Sequence, residues 1–191
     1  MEIRERIAAT LRALRARRGY SLEQLAGRSG VSRSMISLVE RAESDPTAVV
    51  LSRLADGLGV PLAALLADEA PGPAPSPLSQ RANQVVWKDP ESGYLRRSIS
   101  PPGFASPLAI AEVTFPPGRR VSFDNIARGS AVDQQVWMLE GAMEVIVGDS
   151  TFVLHEGDCL AMRLDRPTTF RNASRRSARY AVVVAGDGGN P

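Results

Sequence analysis

The sequence predicts an α+β protein in two parts: an all-α N-terminal domain, residues 1–67, and an all-β C-terminal domain, residues 84–191. Three observations carry this. Up to residue 67 apolar residues recur at helical spacing, and Pro46 is the only proline before Pro61. Over residues 68–83, Pro71, Pro73, Pro75 and Pro77 stand at every second position, which removes backbone donors and predicts an extended, semi-rigid linker. Beyond residue 84, short alternating runs are separated by Pro-Gly, Gly-Asp and Asp-Arg-Pro turns, the mark of a sandwich or barrel.

Each helix of the first part has its own signals. Ile3, Ile7, Leu11 and Leu14 line one face of a helix over residues 3–18, which Gly19 ends. Ser21 and Gln24 form a capping box for a second helix, whose inward residues are Leu22, Leu25 and Ala26. Ser32 caps a third, with Met35, Ile36 and Val39 as its apolar face. Thr47 caps a fourth, carrying Val50, Leu51, Leu54 and Leu58, and Pro61 opens a short fifth. Between the second and third helices a small residue, Ala26, is followed four positions on by Gly30, which can take the positive φ of a tight turn. Val31, Ile36 and Val39 then fall at buried positions, the spacing of a helix-turn-helix.

Composition removes several function classes. Among 191 residues there are one histidine, His155, and one cysteine, Cys159. These cannot build a zinc finger, an iron–sulfur site or a poly-histidine metal centre, and a single cysteine forms no internal disulfide. No apolar run is long enough to span a bilayer, and Glu2, Arg4, Glu5 and Arg6 interrupt any signal-peptide core, so a cytoplasmic protein is expected. The net charge of +2 is small, but residues 1–41 hold nine arginines against four glutamates. Basic charge therefore concentrates around the helix-turn-helix.

The segment from Ser21-Leu-Glu-Gln-Leu-Ala through Gly30-Val-Ser-Arg-Ser-Met-Ile-Ser-Leu-Val-Glu-Arg41, continuing through Asp45-Pro-Thr and Leu54-Ala-Asp-Gly-Leu-Gly-Val-Pro-Leu, resembles the Xre, lambda-repressor-like, DNA-binding family. The resemblance covers residues 3–66 and implies a five-helix domain whose third helix enters the major groove of double-stranded DNA. On that reading Arg33, Ser34 and Ser37 reach base edges, Arg28 and Ser32 meet phosphates, and Arg41 adds to the polar face. One departure is Ala42, where the family often has glycine; a small change in the end of the third helix is expected.

In the second part, strands are expected at Leu108–Phe115, Gln135–Leu139 and Ala142–Val147. The order Pro117-Gly118, Gln134-Gln-Val-Trp-Met-Leu-Glu-Gly141, Leu154-His-Glu-Gly-Asp158 and Pro167-Thr-Thr-Phe-Arg-Asn172 resembles the cupin family, a jelly-roll barrel. Metal-binding cupins supply histidines and a carboxylate; here the carboxylate position falls on Gln134 and a histidine position on Thr168. The first-motif pair falls near Asp124 and Ile126 or near Arg128 and Ser130, so no metal and no cofactor are expected. The barrel is instead read as a pocket for a small anionic or zwitterionic metabolite such as an amino acid. Gln134, Val136 and Met138 form one wall, Thr168 and Phe170 another, and Phe123 with Arg119 or Arg120 closes the mouth. Cys159 is expected to be a buried strand residue, Asp158 to fix its own turn, and Trp137 and Tyr180 to serve barrel or dimer packing.

An Xre-like head joined to a cupin is a known bacterial regulator arrangement. The combined reading is a homodimeric transcriptional regulator, a repressor, that binds a near-palindromic operator and is not an enzyme. Two alternatives stand beside it: a cupin enzyme fused to a DNA-binding head, and a constitutive DNA binder with a purely dimerising barrel.

Overall fold

The structure is a computed structural model that describes residues 2–66, 76–104, 106–125 and 132–185. The chain divides into two compact units, Met1–Leu78 with Pro101–Phe104, and Ser79–Ser100 with Ala105–Pro191. Most of the proline-rich segment lies outside the described residues. Among the described residues no helix is long and apolar enough to cross a membrane.

The helical unit contains α1 (Ile3–Arg17), α2 (Leu22–Ser29), α3 (Arg33–Glu40), α4 (Ala48–Leu58) and α5 (Leu62–Leu66). The caps are the ones the sequence signals. Ser21 Oγ accepts the Gln24 N–H at 3.1 Å, and Gln24 Oε1 accepts the Ser21 N–H at 2.8 Å. Ser32 Oγ accepts from Met35 N–H at 3.2 Å, and Thr47 Oγ1 from Val50 N–H at 3.4 Å. Each bond satisfies an orphan donor of a helix N-terminus. Ile7, Leu11, Leu25, Ile36, Leu51, Leu54, Leu58 and Leu65 are almost wholly buried and form the core. α2 and α4 approach closely at Gly57: a Cβ there would stand 2.8 Å from Ser29 Cβ on α2.

In the β unit a 3-10 turn (Arg81–Asn83) precedes β1 (Val86–Lys88), β2 (Leu95–Ser98), β3 (Leu108–Phe115), β4 (Arg120–Phe123) and β5 (Asp133–Glu140). Then follow β6 (Ala142–Val147), β7 (Ser150–His155), β8 (Cys159–Arg163), β9 (Thr168–Arg171) and β10 (Ala178–Ala185). They form a six-stranded sheet, order β1-β2-β3-β10-β5-β8, and a four-stranded sheet, order β4-β9-β6-β7. Every pairing is antiparallel and the chain alternates between the sheets, which is a jelly-roll sandwich. The corner between β5 and β6 needs Gly141: its φ is +81°, and a Cβ there would meet the Ser177 carbonyl oxygen at 3.2 Å. One interior row crosses five strands through Trp87, Arg96, Val113, Tyr180 and Met138, all buried. Four of these are apolar or aromatic; Arg96 is not.

Candidate nucleic-acid interface and barrel interior

The turn between α2 and α3 is built from local bonds. Gly30 has φ +66° and donates its N–H to the Ala26 carbonyl at 2.9 Å. Buried Ser29 caps the same turn, its Oγ donating to the Leu25 carbonyl at 2.7 Å and accepting from Val31 N–H at 3.2 Å. With Val31, Ile36 and Val39 buried, the opposite face of α3 is left outward.

On that face Ser32, Arg33 and Ser34 are exposed and Ser37 is half-buried. Among the described residues Arg33 makes no hydrogen bond or ion pair, so its guanidinium is uncommitted. Ser34 Oγ is 3.1 Å from Ser32 Oγ, beside the cap. The other arginines of the predicted surface are engaged. Arg41, at the C-terminal end of α3, pairs with Glu43 at 2.8 Å and donates to Ser37 Oγ. Glu43 lies below the usual carboxylate pKa range because of that bond. Arg28 reaches from α2 to the Gly57 carbonyl at 3.0 Å and lies 4.8 Å above the Tyr20 ring, which ties α2 to α4.

The basic excess of the first 41 residues is thereby reduced. Arg4 pairs with Asp45 and Arg15 with Glu40, both at 2.6 Å. Asp45 and Glu43 lie just past the window in which the sequence shows only four acids. The Arg15–Glu40 pair, which composition did not reveal, holds α1 to α3; Arg12 also donates to the Glu40 carbonyl.

In the barrel, β5 turns Gln134, Val136 and Met138 inward, as its alternation predicts. Gln134 Nε2 meets only Met162 Sδ, at 3.9 Å, among the described residues. Phe170 is buried, stacks on Tyr180 at 5.8 Å and meets Phe123 edge-on at 6.2 Å. Thr168, expected on the second wall, has its hydroxyl committed within the fold. It is buried, accepts from Asn125 Nδ2 at 3.1 Å and donates to the Arg166 carbonyl at 3.3 Å, so it holds the Asn125 side chain. Arg119 does not close a mouth with Phe123. Register pairs Arg120 with Arg171 and Phe123 with Thr168, so Arg119 stands at the opposite end of β4, exposed, its carbonyl accepting the Asn172 N–H at 3.0 Å.

The residues at the cupin metal positions do not fit a metal ion. Gln134 and Thr168 are amide and hydroxyl, and among the described residues no group of three His, Cys, Asp or Glu is close enough to hold one. Asp124 is described; the alternatives at 126, 128 and 130 lie outside the described residues. His155 is exposed, its Nδ1 3.8 Å from Asp158. Asp158 accepts the His155 N–H at 2.8 Å and so fixes its turn. Cys159 is exposed rather than buried, because β8 points it to the outer face beside Trp137, which is itself 51% exposed. Tyr180 packs inside.

The barrel residue that sequence reasoning missed is Arg96. It is 9% exposed on the inner face of β2, and its Nε has no hydrogen-bond partner. The alternation of a four-residue strand was too short a signal to show which of Arg96 and Arg97 points inward.

A capped helix-turn-helix whose third helix keeps an exposed face, followed by a jelly-roll β unit, defines a DNA-binding transcriptional regulator. The HTH_3 helix-turn-helix family matches residues 11–65, and the chain belongs to that family. The HTH-type transcriptional regulator SutR of Escherichia coli K12 is 24% identical over 178 residues, 93% of this chain and 93% of the relative. An uncharacterized HTH-type transcriptional regulator of Sinorhizobium fredii, y4dJ, is 35% identical over 60 residues, 31% of this chain and 78% of the relative. The crystal structure of an HTH_3 family transcriptional regulator from Vibrio cholerae is 26% identical with a TM-score of 0.77, covering 96% of both chains.

Proposed function

We propose that the protein is a cytoplasmic, homodimeric repressor that reads a near-palindromic operator through Arg33, Ser34 and Ser37 and releases it when a small metabolite enters the barrel. The observation that carries the reading is Arg33: exposed at the first turn of α3, and free of any intramolecular partner among the described residues while Arg15, Arg28 and Arg41 are tied down. A guanidinium held this way is available for the two acceptors of guanine in the major groove. Ser32, its hydroxyl already capping α3, meets phosphate at the same helix end; Arg28 and Arg41 contribute charge from the flanks.

The barrel acts as a sensor rather than an enzyme on this reading. Its interior combines Gln134, Val136, Met138 and Phe170 with half-buried Phe123 edge-on to Phe170, a mostly apolar wall with few polar groups, which suits ligand capture. Amide and hydroxyl at the metal positions leave no strong donor set for metal-assisted catalysis.

The test is binding-site selection from random DNA followed by titration of Arg33→Ala. Two half-sites spaced by about 10 bp or a multiple are expected. Arg33→Ala should lose about 1–3 kcal/mol at the selected operator and relax preference at one base position. An equal loss on random DNA would reduce Arg33 to a phosphate contact.

A further inference from the structure

We propose that the interior of the β unit binds a small organic acid, its carboxylate held by Arg96 with the Tyr94 and Tyr180 hydroxyls and its apolar body against the neighbouring aromatic side chains. This deepens the sensing reading above and rests on it.

The argument starts from an unbalanced charge. Arg96 is 9% exposed, and among the described residues it makes no hydrogen bond or ion pair. Burying a guanidinium without a counter-charge is strongly unfavourable. Other enclosed arginines face a carboxylate: Arg15 meets Glu40 at 2.6 Å, and Arg97 has Glu112 at 3.7 Å. Arg96 is the exception, and it stands in the inner row of the six-stranded sheet, the second strand from its open edge.

Its surroundings select the ligand. Two buried phenols share its surroundings, Tyr94 two positions before it in the chain and Tyr180 two strands across in the same inner row, and neither hydroxyl has a hydrogen-bond partner among the described residues. Burial raises the pKa of both phenols, so they stay protonated and remain donors. The Asp89 carboxylate acts on Tyr94, but no carboxylate is paired with Arg96, whose planar fork is the complement of one. Around them are aromatic rings: Tyr94 stacks on Phe115 at 5.6 Å and meets Trp87 edge-on at 5.8 Å, while Tyr180 stacks on Phe170 at 5.8 Å. Phosphate or sulfate would have to surrender a full hydration shell to one cation, two phenols and an apolar wall. A carboxylate with a hydrocarbon body surrenders less and gains apolar contact.

The experiment melts full-length protein at constant ionic strength with millimolar sodium benzoate, hexanoate, phosphate, sulfate or chloride, reading tryptophan fluorescence. Benzoate or hexanoate should raise the melting temperature by several degrees over chloride, and phosphate and sulfate should not. Arg96→Met should abolish the shift while leaving the ligand-free protein at least as stable, because an uncompensated charge is removed. Arg96→Lys should bind about tenfold more weakly or worse, since lysine lacks the planar fork. No shift with either organic acid, a shift with phosphate or sulfate alone, or an equal shift in Arg96→Met overturns the proposal. If Arg96→Met does not fold, the Arg96 Nε–H resonance of the wild type decides: it moves on benzoate addition, or the proposal fails. Operator affinity measured in parallel separates this site from its use. Organic-acid binding without operator release keeps the site and removes the sensing role; release by a neutral compound that ignores Arg96→Met keeps sensing and removes the site.

Discussion

Ala42 ends α3 in a conformation that suits glycine, and replacing it with glycine should stabilise the helical unit. Its φ is +57°. The Ala42 N–H donates to the Val39 carbonyl at 3.0 Å and the Glu43 N–H to the Leu38 carbonyl at 2.9 Å, the paired bonds of a Schellman cap. The same cap ends α1 at Gly19, whose N–H donates to Ala16 at 2.9 Å, and α4 at Gly59, whose N–H donates to Asp56 at 3.0 Å; both are glycine. An L-residue with a Cβ pays about 1–2 kcal/mol for the left-handed region. Glycine gives back about 0.5–1 kcal/mol through its freer unfolded chain. Loss of a half-buried methyl costs a few tenths more, from about 0.8 kcal/mol for full burial. Ala42→Gly should therefore gain about 0.5 kcal/mol, or about 2–4 °C for a domain of this size. The assay is urea and thermal unfolding of the full chain followed by 222 nm ellipticity. Both tryptophans, Trp87 and Trp137, lie in the β unit, so their fluorescence is an internal control that should not move. Ala42→Val should shift the helical midpoint the opposite way. A helical midpoint that stays or falls in Ala42→Gly would refute the strain argument.

Glu40→Gln keeps the shape but leaves Arg15 without its counter-charge; a loss of about 2 kcal/mol is expected in urea unfolding of the helical unit, and an unchanged midpoint would show that the pair contributes nothing net. Gly57→Ala gains about 1 kcal/mol of helix propensity but forces Cβ to 2.8 Å from Ser29 Cβ, so net destabilisation by about 1 kcal/mol is expected; greater stability would mean that α2 moves aside freely. Trp137, Ile110 and Leu108 are exposed on the outer face of the six-stranded sheet, at 51%, 37% and 49%. If two copies pair across this face, Trp137→Asp should sediment as a monomer where the wild type sediments as a dimer; an unaffected dimer would place the interface elsewhere.

The helical unit was the more legible half. Ser21, Ser32 and Thr47 act through hydrogen bonds to residues three positions on, so a linear sequence contains both partners. Gly30 was readable for the same reason. Ala42 was noticed only as a missing glycine; its φ supplies the cause. The close approach of Gly57 to Ser29 was not legible, because which small residue meets a neighbouring helix depends on how the two axes cross. Arg28 and Arg41 looked free for DNA because their partners, the Gly57 carbonyl and Glu43, come from a later helix and from beyond a helix end.

In the barrel, alternation placed Gln134, Val136 and Met138 inside, since β5 runs for eight residues in one register. It did not place Cys159 or Arg96, which sit on strands of five and four residues where the phase is easily lost. Nor did it order the two ends of the sandwich, and so Arg119 was grouped with Phe123 although the β4–β9 register sets them apart.

What the sequence alone determined is therefore the local physics: helix faces and caps, strand alternation, turns, and the absence of a histidine set for a metal. The tertiary structure decided which charges are answered. Ion pairs and burial join residues far apart in the chain, and their free energies depend on the surrounding dielectric and on distance. Only the packed sheets show Thr168 committed to Asn125 and Arg96 enclosed without an anion.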